Sequence, residues 1–391
     1  MLYIVLIIIY IFSFYLSPFP YWKTYLYLWQ YVLFKKNKII HFKTKKIQFF
    51  FLIKYVLLCP LWTFFWYYDE IIYFKYKKMN VNPVFIIGQP RSGTTFLHRT
   101  LAADNQNFIA IKHYEWRYPF ISFQKLMKYS GLWKLLYNKN YWPKNEAGAL
   151  ASKMHPNQLS DWEEDGIFYE ECFLHHFFIF LRFPYTDIFE YIAEVQHLPH
   201  NTQKRILRIH QKVIKKIIFM RGGYDKFYLS KEVTSHDKLP QLLRFYPNAK
   251  FIIIFRSSEE FLSSLIPLVR YSTKTKTGID PLYIEGWENM IVQKMKKDCT
   301  YLLDLYYNHI PKNSQINVSF KHLISDVASC VESIYTFMQL KMDSEYREYL
   351  YEIYKKQNDR ERGYENESKN YTGFKKYDYV VKEVDKEYGF Y

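Results

Sequence analysis

Beyond residue 80, short apolar runs alternate with stretches of helical period. Five β-rich runs stand out, at 84–88, 108–112, 227–231, 251–255 and 316–320. Two of them, Val84-Phe85-Ile86-Ile87 and Phe251-Ile252-Ile253-Ile254, are apolar without interruption. Such runs suit strands covered on both faces. Helical stretches separate them, at 96–103, about 202–220, 236–245, 259–270 and 285–308. The alternation predicts an α/β domain with a central parallel sheet of about five strands. In such sheets a ligand sits outside the carboxyl ends of the strands. Those ends carry Gly88, Lys112 to Glu115, Lys231, Arg256 and Phe320-Lys321. Residues 119–200 show no clear strand, are rich in aromatic residues, and read as a helical cover over a substrate.

The first 80 residues follow another pattern. No charge occurs from Leu2 to Trp22, and Leu2 to Leu16 is almost continuously apolar before Ser17-Pro18 and Pro20. The length approaches that of a membrane span. No basic region precedes it and no small-residue cleavage site precedes the prolines, so it reads as an uncleaved anchor. A second apolar segment runs from Ile47 to about Tyr68, broken by Lys54 and Cys59-Pro60. It can be a second span, a re-entrant piece or a helix lying on the surface. The topology, and the side on which the rest of the chain lies, depends on that choice. The chain divides accordingly into residues 1–80, a membrane anchor with a basic amphipathic region, and residues 81–391, the α/β domain.

Charge sharpens this picture. Lys and Arg number 54 against 38 Asp and Glu, a net +16. Residues 1–80 contribute 11 Lys and only Asp69 and Glu70 as acids. Basic charge beside the most apolar part of the chain favours an anionic membrane lipid surface as partner, not nucleic acid. No zinc spacing or nucleic-acid signature accompanies it. Cys59, Cys172, Cys299 and Cys330 are too scattered for a disulfide framework or a metal site. Three glycosylation patterns begin at Asn317, Asn366 and Asn370; the first falls in an expected strand.

The candidate chemistry starts in the segment Gly88-Gln89-Pro90-Arg91-Ser92-Gly93-Thr94-Thr95, between an expected strand and an expected helix. A Gly-x-x-x-x-Gly loop there aims backbone N–H groups and a helix N-terminus at one point, which suits a phosphate. A nucleotide kinase loop would carry Lys where Thr94 stands. It would also use an acid at a neighbouring strand end to hold Mg²⁺. Here Arg256 follows the strand 251–255, and it would repel a cation and attract a second anion. Ser264 lies eight residues on, about two helical turns away.

These two motifs, in this order, resemble the sulfotransferase family that uses 3′-phosphoadenosine 5′-phosphosulfate (PAPS). The resemblance covers roughly residues 81–391. It is closest to the Pro-Arg-Ser-Gly-Thr-Thr branch, which includes protein-tyrosine sulfotransferases and carbohydrate and lipid relatives. It implies a P-loop-type three-layer domain in which Gly88 and Pro90 to Thr95 bind the 5′-phosphosulfate. Arg256 and Ser264 would bind the 3′-phosphate, and 3′,5′-ADP would be the product. One departure is Ser258, where the family often has Pro. No metal is expected.

Sulfuryl transfer needs fixed cations around the leaving oxygen and a base for the acceptor proton. Arg91 and Lys231 are the expected cations, Lys231 by its match to a family lysine at a strand end. Glu115 is one candidate base, in the region where the protein-tyrosine branch places its glutamate. His155 is the other, ahead of the acidic cluster Glu163-Glu164-Asp165. Tyr371 is expected to touch the nucleotide. The acceptor is expected to be a hydroxyl of a carbohydrate, lipid or protein tyrosine, at an endomembrane such as Golgi or ER. The other readings are a nucleotide-binding scaffold without activity and a Mg-dependent kinase.

Overall fold

The computed structural model describes residues 2–19, 21–36, 39–188, 192, 194–233, 238–358 and 378–387. Three helices open the chain: α1 (Leu2–Leu16), α2 (Trp22–Leu33) and α3 (Phe42–Ile72). Then come β1 (Asn82–Gly88), α4 (Thr94–Ala103), β2 (Phe108–Ala110), α5 (His113–Arg117) and α6 (Ile121–Tyr129). The later strands are β3 (Phe227–Glu232), β4 (Lys250–Phe255) and β5 (Gln315–Ser319).

All five strands pair in parallel in the order β2-β3-β1-β4-β5. The most apolar runs take the centre, where both faces are covered: Val84 to Ile87 and Phe251 to Ile254 are fully buried. Side chains alternate along a strand, so Val84 and Ile86 enter one core with Leu97 and Leu101 of α4. Phe85 and Ile87 enter another, with Leu207, Leu239 and Leu302. The result is a sheet between two helical layers. Each expected strand forms within two residues of its expected bounds. The helix Ser258–Thr277 runs through Pro267 and ends at Gly278 in the left-handed region, φ 76°, seven residues beyond the expected end.

The expected N-terminal span of Leu2 to Trp22 is instead broken. Ser17-Pro18 stops α1 after 15 residues, because the residue before a proline disfavours helical backbone. The second apolar segment forms one uninterrupted helix, the 31-residue α3, despite Pro60. Proline offers no N–H to the carbonyl four residues back, that of Val56, and the Tyr10 hydroxyl donates to it instead. Among the described residues α3 is the one helix long and apolar enough to cross a membrane, with mean hydropathy 1.7.

Yet one face of α3 is committed to the rest of the protein. Thr44, Gln48, Leu52, Tyr55, Cys59, Trp62, Trp66 and Asp69 recur at steps of three or four and are buried, a helical stripe. Thr44 donates to the Thr277 carbonyl at 2.8 Å, and Gln48 to that of Arg182 at 2.8 Å. At the far end Asp69 accepts from the Ile121 and Ser122 N–H groups, at 2.7 and 3.0 Å, capping α6. It also pairs with Lys216 at 3.1 Å, both side chains fully buried. Phe19, Tyr25, Leu52 and Trp66 share one core with Phe168, Phe173 and Ile214. The expected boundary at residue 80 is therefore not a packing boundary.

Candidate functional site

β1 ends at Gly88, and a Cβ there would stand 2.5 Å from the Ile254 carbonyl; only glycine lets β1 and β4 close at this point. The loop then turns through Arg91 and Gly93, with φ of 67° and 88°. Both lie in the left-handed region, which is costly for arginine. Such strain collects where a loop must present its N–H groups inward. The Ser92 hydroxyl donates to the Gln89 carbonyl at 2.6 Å and braces the turn. Thr94 opens α4, so the loop delivers a helix N-terminus to the carboxyl edge of the sheet.

Arg91 bridges three elements. Its Nε donates to Ser264 Oγ at 3.0 Å and its guanidinium to the Met154 carbonyl at 3.0 Å. Arg256, at the end of β4, donates to the Arg91 carbonyl at 2.5 Å and lies 4.0 Å from the Phe320 ring centre. The two expected anion sites thus meet at one place. Tyr371 lies outside the described residues, as do Asn366 and Asn370.

Lys231, at the end of β3, is buried. Its ammonium donates to Thr95 Oγ1 at 2.9 Å and to Glu163 Oε1 at 3.1 Å. His155 Nε2 stands 3.7 Å from the other Glu163 oxygen, and Arg99 lies 3.9 Å from it. Burial opposes the charge on Glu163, but Lys231, then His155 and Arg99, outweigh it and hold the carboxyl well below its usual range. Burial lowers the His155 imidazole from its ordinary value, Glu163 opposing and Lys231 and Arg91 assisting, so the ring is neutral at pH 7. Next along the chain, Glu164 is pushed up to about 7 by burial, against Lys231, with Glu163 adding to the rise.

Pro90, Arg91, Thr94, Thr95, His155, Glu163, Glu164 and Lys231 line one end of a cleft with about 930 Å³ of empty space, part of it open to solvent. Glu115 is not in this group. Its carboxylate accepts from the Lys112 N–H at 2.7 Å, closing a capping box at the start of α5, and pairs with Arg221 at 3.3 Å. Burial raises its pKa, with Arg221 and Lys112 opposing. The acidic cluster Glu163-Glu164-Asp165 is buried. Glu163 and Glu164 enter the cleft, while Asp165 binds the Tyr228 hydroxyl at 2.8 Å and His210 at 3.0 Å. The signal for Glu163 and Glu164 was their place after His155 in one acidic run. Nothing local in the sequence tied them to Lys231, 67 or more residues away.

The model of the sulfotransferase family matches residues 83–344. Among solved structures, the sulfotransferase STF1 from Mycobacterium tuberculosis H37Rv superposes with a TM-score of 0.62 at 16% identity, over 84% of this chain and 86% of that one. The sulfotransferase STF9 from Mycobacterium avium gives 0.61 at 11% identity, over 83% and 80%. At these identities the likeness is one of fold. No curated protein matches the chain.

Proposed function

The chain belongs to the sulfotransferase family, and from that premise we propose that it moves a sulfuryl group from PAPS to an acceptor hydroxyl at a membrane. The observation that carries this reading is the meeting of the Arg91 loop, Lys231 and His155 in one cleft. The loop fits a phosphate-like group on its own geometry. A Cβ at Gly88 or Gly93 would crowd neighbouring atoms, at 2.5 and 3.1 Å, and the turn leaves only glycine-sized room beside its N–H groups.

PAPS supplies the sulfuryl group and a phosphate leaving group. Gly88 and Pro90 to Thr95 would hold the 5′-phosphosulfate, and Arg256 with Ser264 the 3′-phosphate. Arg91 then exchanges its bond to Ser264 for one to the anion. Lys231, fixed by Thr95 and Glu163, places positive charge where the leaving oxygen gains negative charge. His155, neutral at pH 7, takes the acceptor proton, and the Glu163 carboxylate stabilises the imidazolium so formed. Glu115 does not enter this scheme.

Membrane association belongs to the same proposal. The outer face of α3 exposes Phe50, Leu57, Leu61, Phe64, Ile71 and Ile72, and α1 exposes Ile4, Ile7, Ile8, Ile11 and Phe12. Exposed lysines lie at both ends of α3, Lys36 before it, Lys43 and Lys46 in its first turns, and Lys75 and Lys78 after it. The polar contacts of Thr44 and Asp69 lie 25 positions apart, about 37 Å along the helix. A helix tied to a folded domain over that length does not cross a bilayer of about 30 Å. It lies along one leaflet of an endomembrane, with α1 dipping in.

The test is binding of 3′,5′-ADP to the full chain in detergent, with and without Mg²⁺, beside Arg256→Ala and an ATP control. Metal-independent binding lost in the variant supports the reading. A preference for Mg·ATP overturns it.

A further inference from the structure

At the end of the cleft away from Lys231, cations outnumber acids. Arg117 pairs with Glu170 at 2.6 Å and also with Glu171. Arg182 reaches Glu170 at 3.3 Å and donates to the Tyr141 hydroxyl at 3.1 Å. These contacts use up both carboxylates. Two ammonium groups remain without an ion pair among the described residues. Lys276 lines the cleft against the rings of Trp142 and Tyr141, at 4.6 and 5.2 Å. Lys54, on α3, lies 4.6 Å from the Tyr55 ring centre.

The surplus leaves its mark on neighbours. Burial alone would raise the Tyr141 phenol, but Lys276 and Arg182 overcome it and lower it. Burial lowers Lys276 itself; Tyr141 and Glu170 oppose, and Arg182 and Arg117 add to the fall. His113, which also lines this end, is lowered to about 4 by burial and Arg117 and adds no charge at neutral pH.

The helix Ser258–Thr277 runs along the cleft from Ser264, which holds Arg91, to Lys276 twelve positions later. Trp142, whose ring centre lies 4.6 Å from the Lys276 ammonium, donates its indole N–H to the His155 carbonyl at 2.8 Å, so one indole ring separates Lys276 from His155. Between them Leu265, Leu268 and Val269 form an apolar floor, and Phe177, Phe178 and Leu181 lie on the cleft wall.

Building on the reading of this cleft as the acceptor site, we propose that the acceptor is an amphiphile. Its hydroxyl lies at His155, its apolar middle on the Leu265–Val269 floor, and an anionic group, carboxylate or phosphate, at Lys276. An anion there gives the Lys276 ammonium the ion pair that Glu170, held by Arg117 and Arg182, does not; a neutral sugar or alcohol cannot. Selection then comes from both ends, charge at one and a hydroxyl at the other.

The experiment measures calorimetric binding to the full chain in neutral detergent, saturated with 3′,5′-ADP. The probes are 8-hydroxyoctanoate, 8-hydroxyoctyl phosphate and 1,8-octanediol, each a hydroxyl on an eight-carbon chain. The two anions should bind at least about tenfold more tightly than the diol, about 1.4 kcal/mol. Lys276→Met should erase that preference and leave diol binding unchanged, while Lys276→Arg keeps most of it. Equal binding of anions and diol, or a preference that survives Lys276→Met, overturns the proposal. Carboxylate and phosphate arms tell which head group the site favours. Nucleotide binding is read in the same samples, so a failure to bind 3′,5′-ADP counts against the donor reading and not against this one. Retained nucleotide binding also shows that the variants are folded.

Discussion

Replacing Asp69 with alanine tests whether α3 belongs to the body of the protein. The carboxylate holds a fully buried Lys216 and caps α6 through two backbone N–H groups. Burial lowers Lys216 to about 8 even with Asp69 pulling it back. Removing one partner of a buried pair costs about 3–5 kcal/mol, because the other charge stays behind uncompensated. An unfolding entropy of about 2.1 cal/mol/K per residue gives about 0.8 kcal/mol/K for 391 residues. The midpoint should therefore fall by about 5 °C in a thermal scan of the detergent-solubilised chain. Asp69→Ala with Lys216→Met should recover more than half of that loss, since the stranded ammonium is gone. The pH dependence has a fixed sign. With a folded pKa of about 8 against an ordinary 10.5, Lys216 binds more proton in the unfolded chain across that window. Its contribution therefore makes stability rise with pH between those values, and Lys216→Met removes the rise. A midpoint shift under about 1 °C for Asp69→Ala would refute the reasoning and return α3 to the role of a detached span.

Three further outcomes follow from the site. Lys231→Met should lower the rate of sulfuryl transfer about 10²–10³-fold while leaving 3′,5′-ADP affinity within a few-fold, measured by single-turnover kinetics and calorimetry. Glu115→Gln should cost about 1–2 kcal/mol of stability, from its capping box and Arg221, yet keep transfer rates within a few-fold; a large kinetic loss at unchanged stability would restore it as the base. Gly88→Ala should abolish nucleotide binding, since its Cβ would lie 2.5 Å from a backbone carbonyl that cannot retreat without parting β1 from β4. Unchanged binding would show that the loop does not hold the phosphate.

The sheet was legible because its strands carry their burial in composition. Val84 to Ile87 and Phe251 to Ile254 have no polar position, and only the centre of a parallel sheet accepts such runs. The anion loop was legible because glycine spacing and strand ends are local. What remained hidden depends on contacts across the chain. Lys54 and Pro60 look like interruptions of a span, yet Tyr10 from α1 satisfies the carbonyl that Pro60 frees. The acids at 163 and 164 look like a solvated helix start until Lys231 is brought against them from β3. Glu115 sits at a strand end like a catalytic acid, but Arg221 arrives from a helix more than a hundred residues later and claims it. Sequence position carries the backbone geometry of a site. Which charges neutralise one another is decided by tertiary partners.

That rule bears most directly on the base, where two groups of the cleft compete. His155 is lowered from its ordinary value of 6.5, and Glu164 is raised to about 7. A general base works only when deprotonated, so the acid limb of the rate profile reports its pKa. Transfer to water, followed as 3′,5′-ADP released from PAPS, needs the same base and no knowledge of the acceptor. With His155 as base the limb falls below pH 6.5, persists in Glu164→Gln, and disappears in His155→Gln along with about 10²–10⁴-fold of the rate. The sign is set by burial, which disfavours the imidazolium more than Glu163 favours it. A limb near pH 7 that vanishes in Glu164→Gln and survives in His155→Gln would transfer the role to Glu164. His155 would then be a positioning residue for Glu163, and the pair Glu163–Glu164 would divide the work, one kept ionised by Lys231 and the other left by burial at the pKa a base needs.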